Sequence, residues 1–172
     1  MENIGLVVCY RLTKDSQFFN DSFKKYYYEI IRNDSYLEGL YFQIERNLLR
    51  LKVHENYLYS NGEPLQELSI PTKTRLGMIQ STKIIKKLYK AKHIYEGRIN
   101  EEYIKHRFLF FAIDSSISDE SKVILTFGFS KGNKEVLDVQ TNLLSNESER
   151  LYNSYIINPS LVVLDKEWKN EQ

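Results

Sequence analysis

Three basic residues stand at defined places on three consecutive strand-like runs in the second half of the chain. Arg98 lies near the end of the run IYEGRIN, Arg107 near the start of KHRFLFFAID, and Lys131 just past the end of KVILTFGFS. In an antiparallel meander the chain reverses at each turn, so these three places can come close together. Cations held on a rigid sheet suit a phosphodiester backbone, because they bind phosphate oxygens and stay charged.

Two side chains beside these cations are capable of acid–base chemistry. Glu96 stands two residues before Arg98 and shares its side of the strand, so it is either a general base or an ion-pair partner of Arg98. His106 is a candidate acid or base, because histidine side chains in general change charge near neutral pH, but adjacent strand residues face opposite sides. His106 and Arg107 therefore cannot both point into one site unless a bulge intervenes, and His93 is the alternative histidine.

The order of these runs resembles the toxins of bacterial toxin–antitoxin pairs of the RelE/HigB/ParE superfamily. Members carry an aromatic-Glu-x-Arg-Ile strand, an Arg-aromatic-aliphatic-aromatic strand and a Gly-Phe-x-Lys segment. The matching residues here are Tyr95-Glu96-Gly97-Arg98-Ile99, Arg107-Phe108-Leu109-Phe110 and Gly128-Phe129-Ser130-Lys131. His106 followed by Arg107 is similar to a His-Arg pair of the ribosome-dependent members. The resemblance covers roughly residues 84–135.

The resemblance implies an α+β fold in which a small antiparallel sheet of about four strands packs against an N-terminal helical hairpin. Residues 1–172 would form a single RelE-like domain, with a motif core at about 84–135 and elaborations at both termini. It also implies cleavage of mRNA without a metal or cofactor. The catalytic set would be Arg98, Arg107, Lys131, His106 and Glu96.

RNA binding is expected from aromatic and basic residues around this set. The candidates are Tyr95, Phe129, Lys87, Lys90 and Lys105. The net charge is only +1, which argues against a uniformly basic nucleic-acid binder. The charge is unevenly distributed, however: ten Lys and Arg but only three acids lie in residues 73–107, whereas seven acids and three bases follow from residue 135 onward. The basic part therefore coincides with the motif region.

The implied partners are mRNA, on or off the ribosome, and a cognate antitoxin whose acidic segment covers the basic face. Two alternatives stay open. The chain could inhibit a protein target, as the gyrase-poisoning branch of the superfamily does, or it could be a non-enzymatic binding or immunity-type protein. Lys131 is followed by Gly132 where many relatives carry a second lysine, which favours the non-enzymatic alternative.

Composition predicts a cytoplasmic globular protein. Hydrophobic residues make up 42% and aromatic residues 13% of the 172 residues, and no apolar run approaches the roughly 20 residues of a membrane span. The N-terminus lacks the pattern of a signal peptide. The single cysteine, Cys9, excludes an internal disulfide and is expected at a buried strand position.

Periodicity predicts the elements that position the motif strands. The expected helices follow a cap at Asp15 or Ser16 and a capping box at Ser35-x-x-Glu38, and a last helix spans Leu143–Tyr155 with Ser145 or Asn146 as its cap. Expected strands are Ile4–Leu12, Tyr103–Ile113, Lys122–Phe129 and a late strand at Ser160–Leu164. Residues 59–71 are expected to form a connecting loop, 83–92 a short basic helix or extended segment, and Gly132-Asn133 a turn.

Overall fold

The computed structural model describes residues 1–101, 103–131 and 136–170, with only the backbone of residues 136–139. The strands in this part of the chain are β1 (Glu2–Asn3), β2 (Leu6–Tyr10), β3 (Lys52–His54), β4 (Tyr57–Ser60), β5 (Glu63–Pro64), β6 (Glu67–Lys73), β7 (Ile79–Lys87), β8 (Tyr95–Asn100), β9 (Lys105–Ile113), β10 (Lys122–Lys131) and β11 (Leu164–Asp165). The helices are α1 (Phe23–Tyr26), which continues as a π-helical turn (Tyr27–Ile31), α2 (Ser35–Leu48) and α3 (Val136–Ile157). Three 3-10 turns (Phe19–Asp21, Pro159–Leu161 and Trp168–Asn170) complete the described elements.

The strands form two sheets. A small antiparallel sheet has the order β1-β3-β4-β5, and a larger sheet of seven strands has the order β11-β2-β10-β9-β8-β7-β6. All neighbours in the larger sheet are antiparallel except β2 and β10, which run parallel. The α+β class is thus confirmed. The three motif strands lie in a mixed sheet of seven strands, which is larger than the expected antiparallel sheet of about four strands.

The predicted meander of motif strands is present. β8 pairs antiparallel with β9, and β9 with β10. The predicted strand at residues 103–113 begins two residues later, at Lys105, and the predicted strand at 122–129 extends to Lys131. Lys131 is therefore the last residue of its strand rather than a residue beyond it. The expected late strand is shorter, β11, and Cys9 is fully buried in β2 as expected.

The N-terminal helices begin at other caps than the predicted ones. Ser22 caps α1 by accepting a hydrogen bond from the Lys25 N–H at 3.2 Å, so the assignment of Asp15 or Ser16 was wrong. Asp34 caps α2 by accepting from the N–H groups of the next turn, so the cap lies one residue before the predicted Ser35. A carboxylate is favoured at this position because it also faces the positive end of the helix dipole.

Two other segments differ from their predictions. α3 begins at Val136, seven residues before the predicted start, and Ser145 lies inside it with its hydroxyl donating to the Thr141 carbonyl. Residues 59–71, expected to be a loop, contain β5 and part of β6. Pro71 is tolerated there because β6 is an edge strand of the larger sheet. The segment 83–92 is partly strand, in β7, and the predicted turn at Gly132-Asn133 lies outside the described residues.

The larger sheet carries a core on each face. On one face, aromatic side chains of the N-terminal helices and the C-terminal 3-10 turn pack on β9: the Phe23 and Tyr41 ring centroids lie 5.3 and 5.7 Å from that of Phe108. On the other face, α3 packs on β9 and β10, with the Tyr152 ring 5.5 Å from Phe111. We call these the N-helix face and the α3 face.

Gly97, in the centre of the first motif strand, is required by packing on the N-helix face. It pairs with Phe108 of β9, whose ring lies directly over it. A Cβ built on Gly97 would stand 2.1 Å from Cζ of Phe108, well inside van der Waals contact. The missing side chain therefore makes room for the ring at the centre of the core.

We expect Gly97→Ala to lower the free energy of unfolding by about 1–3 kcal/mol, because the buried Phe108 ring must shift to accommodate the methyl group. Chemical denaturation followed by tryptophan fluorescence measures the change, since Trp168 lies in the same core. The control is Gly39→Ala on α2, where an added Cβ meets nothing within 4 Å. That change should stabilise the protein by up to about 1 kcal/mol. Equal stability of Gly97→Ala and the wild type would contradict the packing argument.

Candidate nucleic-acid interface

The strand register places the predicted cations on one face of the sheet. Arg98 of β8 pairs with Arg107 of β9, which pairs with Phe129 of β10, and the next row on the same side contains Lys105 and Lys131. Directly paired residues project to the same side of a sheet. These side chains therefore all lie on the α3 face, although Arg107 is buried there.

A single carboxylate joins the two arginines. Glu96 Oε1 lies 3.1 Å from Nε of Arg98 and 3.4 Å from Nε of Arg107. Arg107 also donates through Nη1 to Asn100 Oδ1 at 2.8 Å and to the His106 carbonyl at 3.0 Å. Glu96 is thus an ion-pair partner of both guanidiniums, the structural role that the sequence had offered as the alternative to a general base.

Arg107 is a buried cation whose positive charge and hydrogen-bond donors are only partly paired. Only 2% of its surface is exposed, and its Nε, like that of Arg98, has no hydrogen-bond partner among the described residues. Burial, followed by the positive charge of Arg98, lowers the pKa of Arg107 to about 10, and the charge of Glu96 opposes this shift. Arg107 remains protonated at neutral pH, so two positive charges face one negative charge at this place.

The same face continues as an open, polar surface over β7 and β6. Register places Lys86 opposite Glu96 and Glu67 opposite Lys86, and Glu67 forms an ion pair with Lys83 at 2.8 Å. The hydrogen bond from Lys83, helped by the charges of Lys86 and Arg98, lowers the pKa of the Glu67 carboxyl. Farther along, the exposed Lys73 completes a row of cations on this side. We call Lys73, Lys83, Lys86, Arg98, Lys105 and Lys131 the basic face.

The three lysines on β6 and β7 were not among the predicted site residues. Part of the signal for them was present in the sequence, since polar and apolar residues alternate over residues 67–70 (ELSI). It was obscured by the turn-forming residues on either side and by a bulge, which shifts the register between Leu68 and Ser69. Of the predicted RNA-binding lysines, Lys105 lies on the basic face and Lys90 is exposed in the β7–β8 connection.

His106 and Tyr95 lie on the opposite, N-helix face. His106 is buried, with Nδ1 against the Tyr26 hydroxyl and Nε2 3.0 Å from Glu101 Oε2, and the Tyr26 hydroxyl also reaches Ser130 Oγ at 2.7 Å. Tyr95 is fully buried, and its hydroxyl accepts the Leu58 N–H at 2.9 Å. Neither side chain reaches the arginines, because neighbouring strand residues project to opposite sides.

Two further residues that were predicted to bind RNA instead make packing contacts within the fold. Phe129 lies in the row of arginines but is only 4% exposed and belongs to the core beneath α3, so its ring is closed to a stacking base. Lys87 lies beside Tyr95, with Nζ 5.9 Å from its ring centroid. The site that the structure assembles is therefore cationic, without an exposed aromatic ring among Tyr95 and Phe129.

The comparisons add no relative to this picture. Neither the protein-family models, nor the curated proteins, nor the solved structures contain a match to this chain. Within the described residues, no three His, Cys, Asp or Glu side chains are grouped as a metal site would require. No helix in that part of the chain has the length and apolar character needed to cross a membrane.

We expect Glu96→Gln to lower the free energy of unfolding by about 3 kcal/mol, because it leaves two guanidiniums together in a largely buried place. Phosphate ions should recover part of this loss by supplying a replacement negative charge. Thermal unfolding in chloride and in phosphate buffers of equal ionic strength measures both effects. The matched control, Glu55→Gln at an exposed carboxylate, should change stability by less than about 0.5 kcal/mol. A phosphate effect of the same size in both variants would refute a local anion requirement.

Proposed function

We propose that this protein is the toxin of a bacterial toxin–antitoxin pair and that it acts on mRNA as a metal-independent endoribonuclease. The observation that carries the proposal is the row of cations that the register aligns on one side of β8, β9 and β10 and that continues over β7 and β6. The assignment to RelE-like toxins, with their helical hairpin on an antiparallel sheet, is part of the same proposal. It is supported by the order of the motif strands.

A phosphodiester backbone is the ligand that fits this arrangement. Neighbouring strands are about 4.8 Å apart, so cations on successive strands form a line that an extended chain of phosphates can follow. Arg98 can hold two oxygens of one phosphate with its planar fork, while the lysines act as point charges on either side. Glu96 neutralises one of the two guanidiniums, which leaves charge at the row for the ligand.

Cleavage of RNA requires little more than correct placement of these groups. The ribose 2′-OH gives up its proton to a base, the 2′ oxygen bonds to the adjacent phosphorus, and the bond to the 5′ oxygen breaks. The leaving 5′ oxygen takes up a proton, so that a 2′,3′-cyclic phosphate and a 5′-hydroxyl result. Cations near the phosphorane stabilise the negative charge that accumulates on its oxygens. Arg98 and Lys131 are the members of the predicted catalytic set that the sheet presents on the basic face with part of their surface exposed.

The partners follow from this surface. A cytoplasmic toxin needs an antitoxin, and an acidic segment of that protein would compete with RNA for the basic face. The mRNA could be free or on the ribosome.

A second candidate is a non-enzymatic binding protein or an inhibitor of a protein target such as gyrase. It is favoured by the burial of Arg107 and by the position of His106 on the N-helix face, which leaves the arginines without a neighbouring histidine. A basic face alone would suffice for binding an acidic protein surface.

Induced expression of the wild type in a bacterial host should arrest growth and create new mRNA 5′ ends, and Arg98→Ala should abolish both. The physical reason is the loss of the partly exposed guanidinium from the row. The matched control is Arg50→Ala, which removes an exposed arginine after α2 and should leave arrest and cleavage intact. Arrest without cleavage would move the assignment to a protein target. If expression of the wild type does not slow growth, the assignment would move to the non-enzymatic binding protein.

Removing Lys83 and Lys86 together should weaken the binding of single-stranded RNA about tenfold at 0.1 M salt. Because two phosphate contacts are lost, the slope of log affinity against log salt should decrease by about 1.4. Fluorescence anisotropy with a labelled oligonucleotide measures both quantities. Lys14→Ala with Lys166→Ala removes the same charge from exposed positions elsewhere and should leave the slope unchanged. An equal change in both double variants would show that net charge, not the basic face, controls binding.

A further inference from the structure

A histidine–carboxylate pair joins the β7–β8 connection to α3. His93 Nδ1 lies 2.6 Å from Glu149 Oε1, and the His93 backbone N–H donates to Oε2 of the same carboxylate at 3.1 Å. The two residues are 56 positions apart in the chain. Glu149 thus fixes both the backbone and the ring of His93.

The imidazole is also held between two aromatic rings. It stacks on Tyr152 with centroids 3.9 Å apart and an angle of 14°, and on Tyr57 with centroids 5.2 Å apart and an angle of 23°. The Tyr152 hydroxyl accepts from Asn56 Nδ2 at 3.1 Å, and Asn56 Oδ1 in turn accepts the Asp114 N–H at 2.9 Å. The ring is therefore fixed in position by contacts from the small sheet and from α3.

This geometry selects the tautomer of His93. An ionised carboxylate only accepts hydrogen bonds, so Nδ1 carries the proton and donates it to Glu149. In the neutral form of the ring Nε2 keeps its lone pair, and no hydrogen bond to Nε2 is found among the described residues. A neutral imidazole oriented by a carboxylate through its other nitrogen is the arrangement of a general base. The side chain is 19% exposed.

A lysine lies beside this pair. Lys87 Nζ is 5.5 Å from the Tyr57 ring centroid and donates to the Lys92 carbonyl. Burial lowers the pKa of Lys87, while the charge of Glu149 opposes the shift. The groups that face His93 are thus Glu149, Tyr57 and Tyr152. Lys87 pairs with Tyr95 in the sheet and so projects to the N-helix face, away from the basic face.

The basic face leads to this region. Lys83 and Lys86 lie on β7, and the connection that follows carries exposed Lys90 and Lys92 and an 88% exposed Tyr89, whose ring centroid is 6.0 Å from Lys86 Nζ. An exposed ring beside cations is the surface that single-stranded nucleic acid uses for stacking. Arg98 follows His93 by five residues, of which those from Tyr95 onward are strand, so their Cα atoms are at most roughly 18 Å apart. A strand bound along the basic face would therefore reach His93.

We propose that His93, oriented by Glu149, is the general base of the ribonuclease and that its substrate is single-stranded RNA held along the basic face. This inference rests on the proposed function. In the step, the 2′-OH proton passes to Nε2 of His93, the 2′ oxygen bonds to phosphorus, and the bond to the 5′ oxygen breaks. The leaving 5′ oxygen takes a proton from water, and the proton on His93 then passes to solvent. Arg98 and the lysines then hold flanking phosphates.

The test uses purified full-length protein and a labelled single-stranded RNA 20-mer of mixed sequence, with its all-deoxy counterpart as the uncleavable substrate. His93→Gly should lower the cleavage rate by about 100-fold or more, the range of general-base catalysis. Added imidazole should raise the cleavage rate of this variant about tenfold, because it can enter the space between Tyr57 and Tyr152. The control His54→Gly, at the end of β3, should keep the wild-type rate.

The outcomes separate this inference from the proposed function. Cleavage by the wild type with an undiminished His93→Gly variant would overturn the role of His93 and leave the nuclease intact. A folded variant that binds RNA, is inactive and is not rescued by imidazole would also overturn it, since a purely structural clamp behaves in that way.

A second measurement is needed if the wild type does not cleave RNA or if the His93→Gly variant does not fold. Uridine 2′,3′-cyclic monophosphate is titrated into ¹⁵N-histidine-labelled wild type and followed by NMR. A shift of the His93 ring nitrogens without a shift at His54 supports the site even where the nuclease proposal fails. An unmoved His93 overturns the inference.

Discussion

The pairing of β9 with its two neighbours is the constraint on which the rest of this structure depends. β9 lies in the middle of the larger sheet and is buried along almost its whole length, from His106 to Ile113. Its alternate side chains enter the two cores, Phe108 towards the N-terminal helices and Phe111 towards α3. A slip of one residue would exchange the faces of every side chain on the strand, so the register is strongly determined. That register is what aligns Arg98 with Arg107 and places Glu96 beside both.

The net positive charge at the paired arginines, Arg98 and Arg107, depends on their burial as well as on the sequence. A guanidinium as buried as Arg107 needs a partner, and Glu96 supplies one carboxylate for two cations. The remaining polar contacts of Arg107 come from neutral oxygens of Asn100 and His106. The interior of the sheet therefore holds the row rigid while it stays electropositive, and the open part of the same face extends the positive charge outward over β7.

α3 divides the face into two parts with different uses. Over β9 and β10 the helix completes a core, as the Thr126 and Ser148 hydroxyls, 2.7 Å apart, show. Over β6 and β7 the sheet stays open, and the side chains there include Lys73, Lys83 and Lys86 together with an exposed Ile79. At its margin α3 also brings Glu149 to His93, so the element that closes one part of the face orients a histidine at the edge of the other. The proposed RNA path and the proposed base are thus linked through one helix.

The sequence by itself determined the elements whose signals are local. The apolar runs of β9 and β10, the amphipathic α2 and the shared side of Glu96 and Arg98 all follow from periodicities of two or 3.6 residues. The opposite orientation of His106 and Arg107 follows from the same rule. Tertiary structure decided what depends on distant residues: that β2 pairs parallel to β10, that a segment with Pro71 forms the edge of the sheet, and that Phe129 is covered. It also decided that His93 meets Glu149. No local pattern encodes these choices, because strand partners and helix docking are selected by the burial of whole faces against one another.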